Sequence, residues 1–150
     1  MWCSEKNEQQ SISKSRGGWT TKIHMLAANE RTAVAFHLSG GGCHDAPEGR
    51  KLLEAVGEVS TNVSLLMDRA YEGNVTRNLA LDLGYGLCVP PKSNRKAPWG
   101  YDRQLYKRRN EVERLFRRLK SYRRICTRYD KLDVVFLSFV FFALIVEAFR

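Results

Sequence analysis

Apolar and polar positions change period several times along the chain, and each change marks an element. From Trp19 to Ala28 (WTTKIHMLAA), β-branched residues and partial alternation predict a strand. Asn29-Glu30 supplies a turn, and Thr32–Leu38 (TAVAFHL) alternates again, which makes an antiparallel hairpin. A loop of Ser39 and three glycines follows, with Asp45 in the N-cap position and Pro47 in the first turn of a helix over about 46–57. Val63–Met67 reads as a short buried strand that stops at Asp68, residues 73–84 as a helix closed by Gly84, and Tyr85–Val89 as a second buried strand stopped by Pro90-Pro91. Residues 92–100 form a basic loop, a long helix runs from about 103 to 124, and an apolar helix spans 132–148. The polar stretch 1–18 has no period and reads as a loop or tail. Strands that alternate with helices in this order indicate an α/β fold.

The helix after residue 103 holds the densest chemistry. With Tyr106 set to zero and about 100° per residue, Arg109, Glu113, Lys120 and Arg117 fall in one polar stripe about 80° wide. Leu105, Val112, Phe116 and Leu119 fall beside that stripe, which places it at the margin of a core. Glu111 lands on the far side. The geometry therefore selects Glu113 as the carboxylate able to meet Asp68 at its strand end. Carboxylates so placed suit phosphoryl transfer, in which two divalent ions about 3.5–4 Å apart activate the attacking oxygen and stabilise the leaving one. Magnesium takes such oxygen ligands.

Charge narrows the class of partner. Lys and Arg number 25 against 16 Asp and Glu, a formal +9, and the excess is local. Residues 92–131 carry 15 Lys/Arg and 4 Asp/Glu, a net +11 that leaves the rest of the chain at −2. Aromatic residues interleave with these cations, a composition suited to nucleic acid. Lys92, Arg95, Lys96, Arg117, Arg124 and Arg128 are the phosphate-contact candidates outside the Tyr106, Arg109 and Lys120 set. Val134–Val146 is only 13 residues long with charges at both ends, short of the roughly 18–20 of a bilayer crossing, and is read as a buried core helix. The cysteines Cys3, Cys43, Cys88 and Cys126 lack metal-ligand spacing and read as reduced thiols. His24 and His37 read as structural, and His44-Asp45 as a helix cap.

Tyr106-x2-Arg109-x3-Glu113-x6-Lys120 matches the Y-(2)-R-(3)-E-(6)-K signature of bacterial insertion-sequence DDE transposases in all its spacings. The flanking stretches resemble the same family: Ser15-Arg16-Gly17-Gly18 with Thr20-Thr21-Lys22-Ile23-His24, Gly42-Cys43-His44-Asp45-Ala46-Pro47, Asp68-Arg69-Ala70-Tyr71, Pro90-Pro91-Lys92-Ser93-Asn94-Arg95-Lys96, and Arg124 with Arg128-Tyr129-Asp130-Lys131. The resemblance implies an RNase H-like mixed sheet flanked by helices, and magnesium- or manganese-dependent cleavage and strand transfer at the ends of a mobile element. It implies two metal ions in a complete site, with Asp68 and Glu113 as metal ligands. It makes Tyr106, Arg109 and Lys120 contacts to double-stranded DNA, both terminal repeats and target, and implies a homo-oligomer on DNA in the cytoplasm, at the nucleoid.

One departure stands beside the match. The family's first catalytic Asp lies on an opening strand upstream of the Ser-Arg-Gly-Gly turn, and residues 1–18 offer only Glu5 and Glu8 as carboxylates. Residues 1–14 are then a tail and 15–150 a partial catalytic domain without the first, central strand. Its loss would leave two unpaired edges inside the sheet. The chain is expected to be a downstream reading frame, partnered by an upstream-frame segment, or a decayed copy, inactive alone in either case. The rival expectation is a non-catalytic basic DNA- or RNA-binding protein that uses only the 92–131 patch.

Overall fold

A computed structural model describes residues 10–60 and 62–150. β1 (Ser13–Ser15), β2 (Gly18–Ala27) and β3 (Ala33–Gly40) form an antiparallel sheet in the order β1-β2-β3. β4 (Ser64–Leu66) and β5 (Gly86–Cys88) form a separate parallel pair. α1 (Asp45–Val56) connects the sheets, and α2 (Asn74–Asp82) links β4 to β5, preceded by a 3-10 turn over Arg69–Tyr71. α3 (Arg103–Lys107), α4 (Asn110–Ser121), α5 (Arg123–Cys126) and α6 (Asp133–Ala148) follow.

The hairpin forms where alternation places it. Ile23 faces Leu38 and Met25 faces Phe36 in register, and the turn closes because the Asn29 side chain accepts from the amides of Arg31 and Thr32 at 2.8 and 3.0 Å. Residues 10–15 depart from the expected tail. Ser13–Ser15 pairs with Gly18–Thr20, Thr21 Oγ1 donates to Ser11 O, and the Ser11 amide donates to Asp133 at 2.8 Å. Polar residues here are held by hydrogen bonds, so no hydrophobic period announces the strand. Glu5, Glu8 and Cys3 lie outside the described residues; Cys43, Cys88 and Cys126 are free thiols.

Two cores divide the molecule. Leu115, Leu119, Ile125, Phe136, Val140, Ala143 and Leu144 pack under the β2–β3 hairpin, against Ile23, Met25 and Phe36. Leu53, Leu65, Met67, Ala80, Tyr85 and Val89 form the second, around β4, β5, α1 and α2. The two sheets do not join. Beyond Thr20, the edge of β2 opposite β3 pairs with no strand among the described residues, and neither does the edge of β4 opposite β5. Between these edges lies a cavity of about 500 Å³, lined by Met25, Leu26, Val63, Leu65, Leu105 and Val112 among others.

The long helix expected from 103 to 124 is three helices. Asp102 caps α3 by accepting from the amides of Gln104 and Leu105 at 2.8 and 3.0 Å. At the junction the amides of Arg108, Arg109 and Glu111 bond three residues back, to Leu105, Tyr106 and Arg108. Each such step turns the chain by about 120° rather than 100°. Every position after the junction is thereby rotated relative to a uniform helix. Leu115 swings into the core, fully buried beside Leu119, and Glu111 becomes half-buried with an ion pair to Arg108 at 2.9 Å, not solvated on a far face.

Two further expectations are revised. His44, not Asp45, occupies the N-cap of α1, with no side-chain cap bond, while Asp45 pairs with Lys22 at 2.8 Å. The apolar α6 is core on one side only: Phe136, Val140, Ala143 and Leu144 are buried, and Val134, Phe141, Phe142 and Ile145 are exposed. Among the described residues no helix is long and apolar enough to cross a membrane.

Candidate functional site

Asp68 lies two residues past Leu66, the end of β4, and is the N-cap of the 3-10 turn, though its carboxylate accepts no cap bond. That leaves the carboxylate free to face α4. The turn is fixed from behind by Tyr71, whose ring lies against Gly49 of α1 so closely that a Cβ there would sit 2.5 Å from Cε1. Burial, then the charges of Asp45 and Asp68, push the Tyr71 hydroxyl up to about 12. Sequence reasoning noted Tyr71 only within its motif; the glycine facing it on α1 carried no local signal.

Arg109 joins the two carboxylates. Its Nη2 lies 2.7 Å from Glu113 Oε1 and its Nη1 3.7 Å from Asp68 Oδ2, with the guanidinium 5.5 Å from the Tyr106 ring centre. The Asp68 and Glu113 side chains are 56% and 42% exposed and thus reachable from solvent, whereas that of Arg109 is 26% exposed. Its Nε is buried without a hydrogen-bond partner among the described residues. Tyr106 packs edge-on to Tyr101 at 5.5 Å, and burial foremost raises its hydroxyl. A cavity of about 190 Å³ opens beside this group, lined by Asp68, Tyr71, Arg109, His24, Val112 and Phe116 among others.

Two carboxylates are the hard oxygen donors a divalent cation prefers, and magnesium is commonly held by one or two carboxylates with waters and substrate phosphates. Asp68 and Glu113 are donors of that type. Among the described residues no group of three or more His, Cys, Asp or Glu side chains is placed to hold a metal.

The structure sorts the cationic candidates. Lys96, Arg117 and Lys120 are exposed and make no ion pair among the described residues. Arg124 is half exposed, 3.3 Å from Asp130 and stacked near Phe139. Lys92 and Arg95 turn toward the buried Glu72, at 3.5 and 2.9 Å, and Arg95 lies over Trp99 opposite Arg77. Arg128 is the clear departure from a phosphate contact. Its guanidinium donates to Asp130 O, Thr21 Oγ1, Ser11 O, Lys131 O and Asp133, so all its donors are spent inside the chain. The two strand histidines are structural. His24 is buried and bonded to Ser39 Oγ at 2.8 Å, with its pKa lowered by burial first and His37 second, and His37 lies 2.9 Å from Glu48.

Comparison with known proteins identifies the family. A family model described as "Transposase DDE domain" matches residues 65–150, the stretch that holds Asp68, Arg109 and Glu113. A Brucella ovis protein, named as a candidate transposase for insertion sequence element IS6501, is 29% identical over 125 residues, covering 83% of this chain and 94% of the relative. No solved structure matches the chain. With a family model over more than half of its length and the motif helix facing the acidic strand end, the chain belongs to the DDE transposases of insertion sequences.

Proposed function

We propose that this chain supplies two of the acidic residues for metal-dependent DNA cleavage and strand transfer at the ends of an insertion sequence, on an RNase H-like fold whose central strand comes from outside the described residues. The observation that carries this reading is the meeting of Asp68 and Glu113 across one guanidinium, from segments 45 residues apart in the chain. Magnesium or manganese, held by these carboxylates, would polarise the phosphate and activate the attacking oxygen, two ions serving in a complete site. Asp68 and Glu113 hold and orient. Tyr106 offers a ring and a hydroxyl beside them, and Lys96, Arg117, Lys120 and Arg124 offer exposed charge to the phosphates of double-stranded DNA, terminal repeats and target alike. Arg128, and in the resting protein Lys92 and Arg95, serve the fold.

The cleft between β2 and β4 is where an upstream-frame segment would add a strand, since both edges facing it are open and its walls are mostly apolar. On this reading residues 15–150 form a partial catalytic domain that acts as an oligomer on DNA and does not transpose alone. The test is donor cleavage and strand transfer with purified chain and Mg²⁺ or Mn²⁺, with and without an added upstream segment. Activity is expected only with the segment, and Glu113→Gln abolishes it while duplex binding is retained. Robust Glu113-dependent activity of the chain alone overturns the inactivity, and activity indifferent to Glu113→Gln overturns the site. Binding without nicking under every condition would favour the rival nucleic-acid-binding role of the 92–131 patch.

A further inference from the structure

Arg109 has a place that phosphate binding alone does not explain. Its guanidinium spans two carboxylates that would otherwise repel each other, and it stays charged at every accessible pH. The stem is half-buried and anchored at the α3–α4 junction, while the carboxylates it touches are open to solvent. The grip is uneven, 2.7 Å to Glu113 and 3.7 Å to Asp68. Ion pairs of such exposure hold weakly, so a cation with two charges can compete for the same oxygens. Arg109 also lines both the 190 Å³ and the 500 Å³ cavities, and the Tyr106 ring offers its face to the guanidinium from one side.

From this geometry we infer that Arg109 is a resident counter-ion, which holds Asp68 and Glu113 together until they bind a divalent cation and is then released to grip a DNA phosphate. The inference rests on the proposed reading of the two carboxylates as metal ligands. Its consequence is coupling. Arg109 competes with the cation for the carboxylates, and once displaced it adds a charge to the DNA-facing side, so cation and DNA each favour binding of the other.

The experiment titrates Mn²⁺ into the full chain, following free Mn²⁺ by electron paramagnetic resonance, and measures a labelled short duplex by fluorescence anisotropy at constant ionic strength. Arg109→Gln is expected to tighten Mn²⁺ binding by about 2- to 10-fold, the range that two weak exposed pairs allow, and to abolish the Mn²⁺-dependent gain in duplex affinity expected of the wild type. Unchanged or weaker Mn²⁺ binding in Arg109→Gln, with unaltered circular dichroism and melting temperature, overturns the inference. Should that variant lose its fold, Arg109→Lys decides. A single ammonium on a shorter side chain holds the two carboxylates less well than the forked guanidinium, so Mn²⁺ must still bind more tightly than to the wild type, and equal or weaker binding overturns the inference. Mn²⁺ binding that survives Asp68→Asn with Glu113→Gln, or that is absent from all proteins even with the upstream segment added, overturns instead the metal-ligand reading on which the inference stands.

Discussion

Arg128 shows how much a single side chain can do without touching a ligand. Its guanidinium ties β2 through Thr21, the N-terminal segment through Ser11 and the start of α6 through Asp133, and it lies 4.8 Å from the Phe136 ring centre. Charge-assisted bonds shielded from water are the strong ones. Arg128→Ala is therefore expected to lower unfolding stability by about 2–4 kcal/mol at neutral pH, chiefly because Asp133 is left half-buried without its cation. The effect carries a pH signature. Burial pushes the Asp133 carboxyl up, but bonds from Ser11 and Arg128 outweigh it, so the net shift is below the usual 3.8. A depressed carboxyl stabilises the fold above its unfolded pKa and loses that contribution as pH falls through its folded one. The gap between wild type and variant should thus be full above pH 3.8 and shrink in more acidic solution, as urea midpoints across that range would reveal. A gap independent of pH would mean that Arg128 acts by packing alone.

At the scale of elements, the α3–α4 junction and the turn after β4 set the site. The motif spacing in this chain was legible from sequence because every member from Tyr106 to Lys120 lies on consecutive right-handed turns. The phase was not. Three bonds of i to i+3 type rotate α4, which is why Leu115 rather than Leu105 fills the core and why Glu111 is half-buried. Such a tightening follows from packing on the hairpin and has no residue signature. The turn that presents Asp68 depends equally on a neighbour distant in sequence. Gly49→Ala would place a Cβ 2.5 Å from the Tyr71 ring, and a half-buried ring packed on the core gives way less readily than a flexible chain end. We expect a loss of about 1–3 kcal/mol, seen as a lower denaturant midpoint. Gly49→Ala with Tyr71→Leu should recover part of it, and a double variant no better than Gly49→Ala would rule out the ring contact as the cause.

At the scale of the whole molecule, the open cleft dominates. An antiparallel edge leaves every second amide pointing away from its partner, so half of the amides between Thr21 and Ala27 point to the unpaired side of β2 instead of to β3. These amides should exchange hydrogen much faster than their ladder-bonded neighbours in residue-resolved exchange measurements, and an added upstream segment should slow them together with the outer edge of β4. Strong protection of both edges in the chain alone would show that the cleft closes on itself.

What the sequence determined by itself is whatever depends on local period and spacing: the hairpin, the two short apolar strands, the helices between them, the basic segment and the motif that names the family. These are short-range properties, written in the alternation of side chains a few residues apart. Tertiary structure alone decided which cations are free. Lys96 and Arg128 are both cations of the same basic segment, yet one is exposed and makes no ion pair among the described residues while the other is wholly engaged by five acceptors. It also decided that Asp68 and Glu113 share Arg109 and that β2 and β4 remain apart. Each of these outcomes is set by groups far apart in the chain, where desolvation and charge balance act through space and leave no periodic trace in the order of residues.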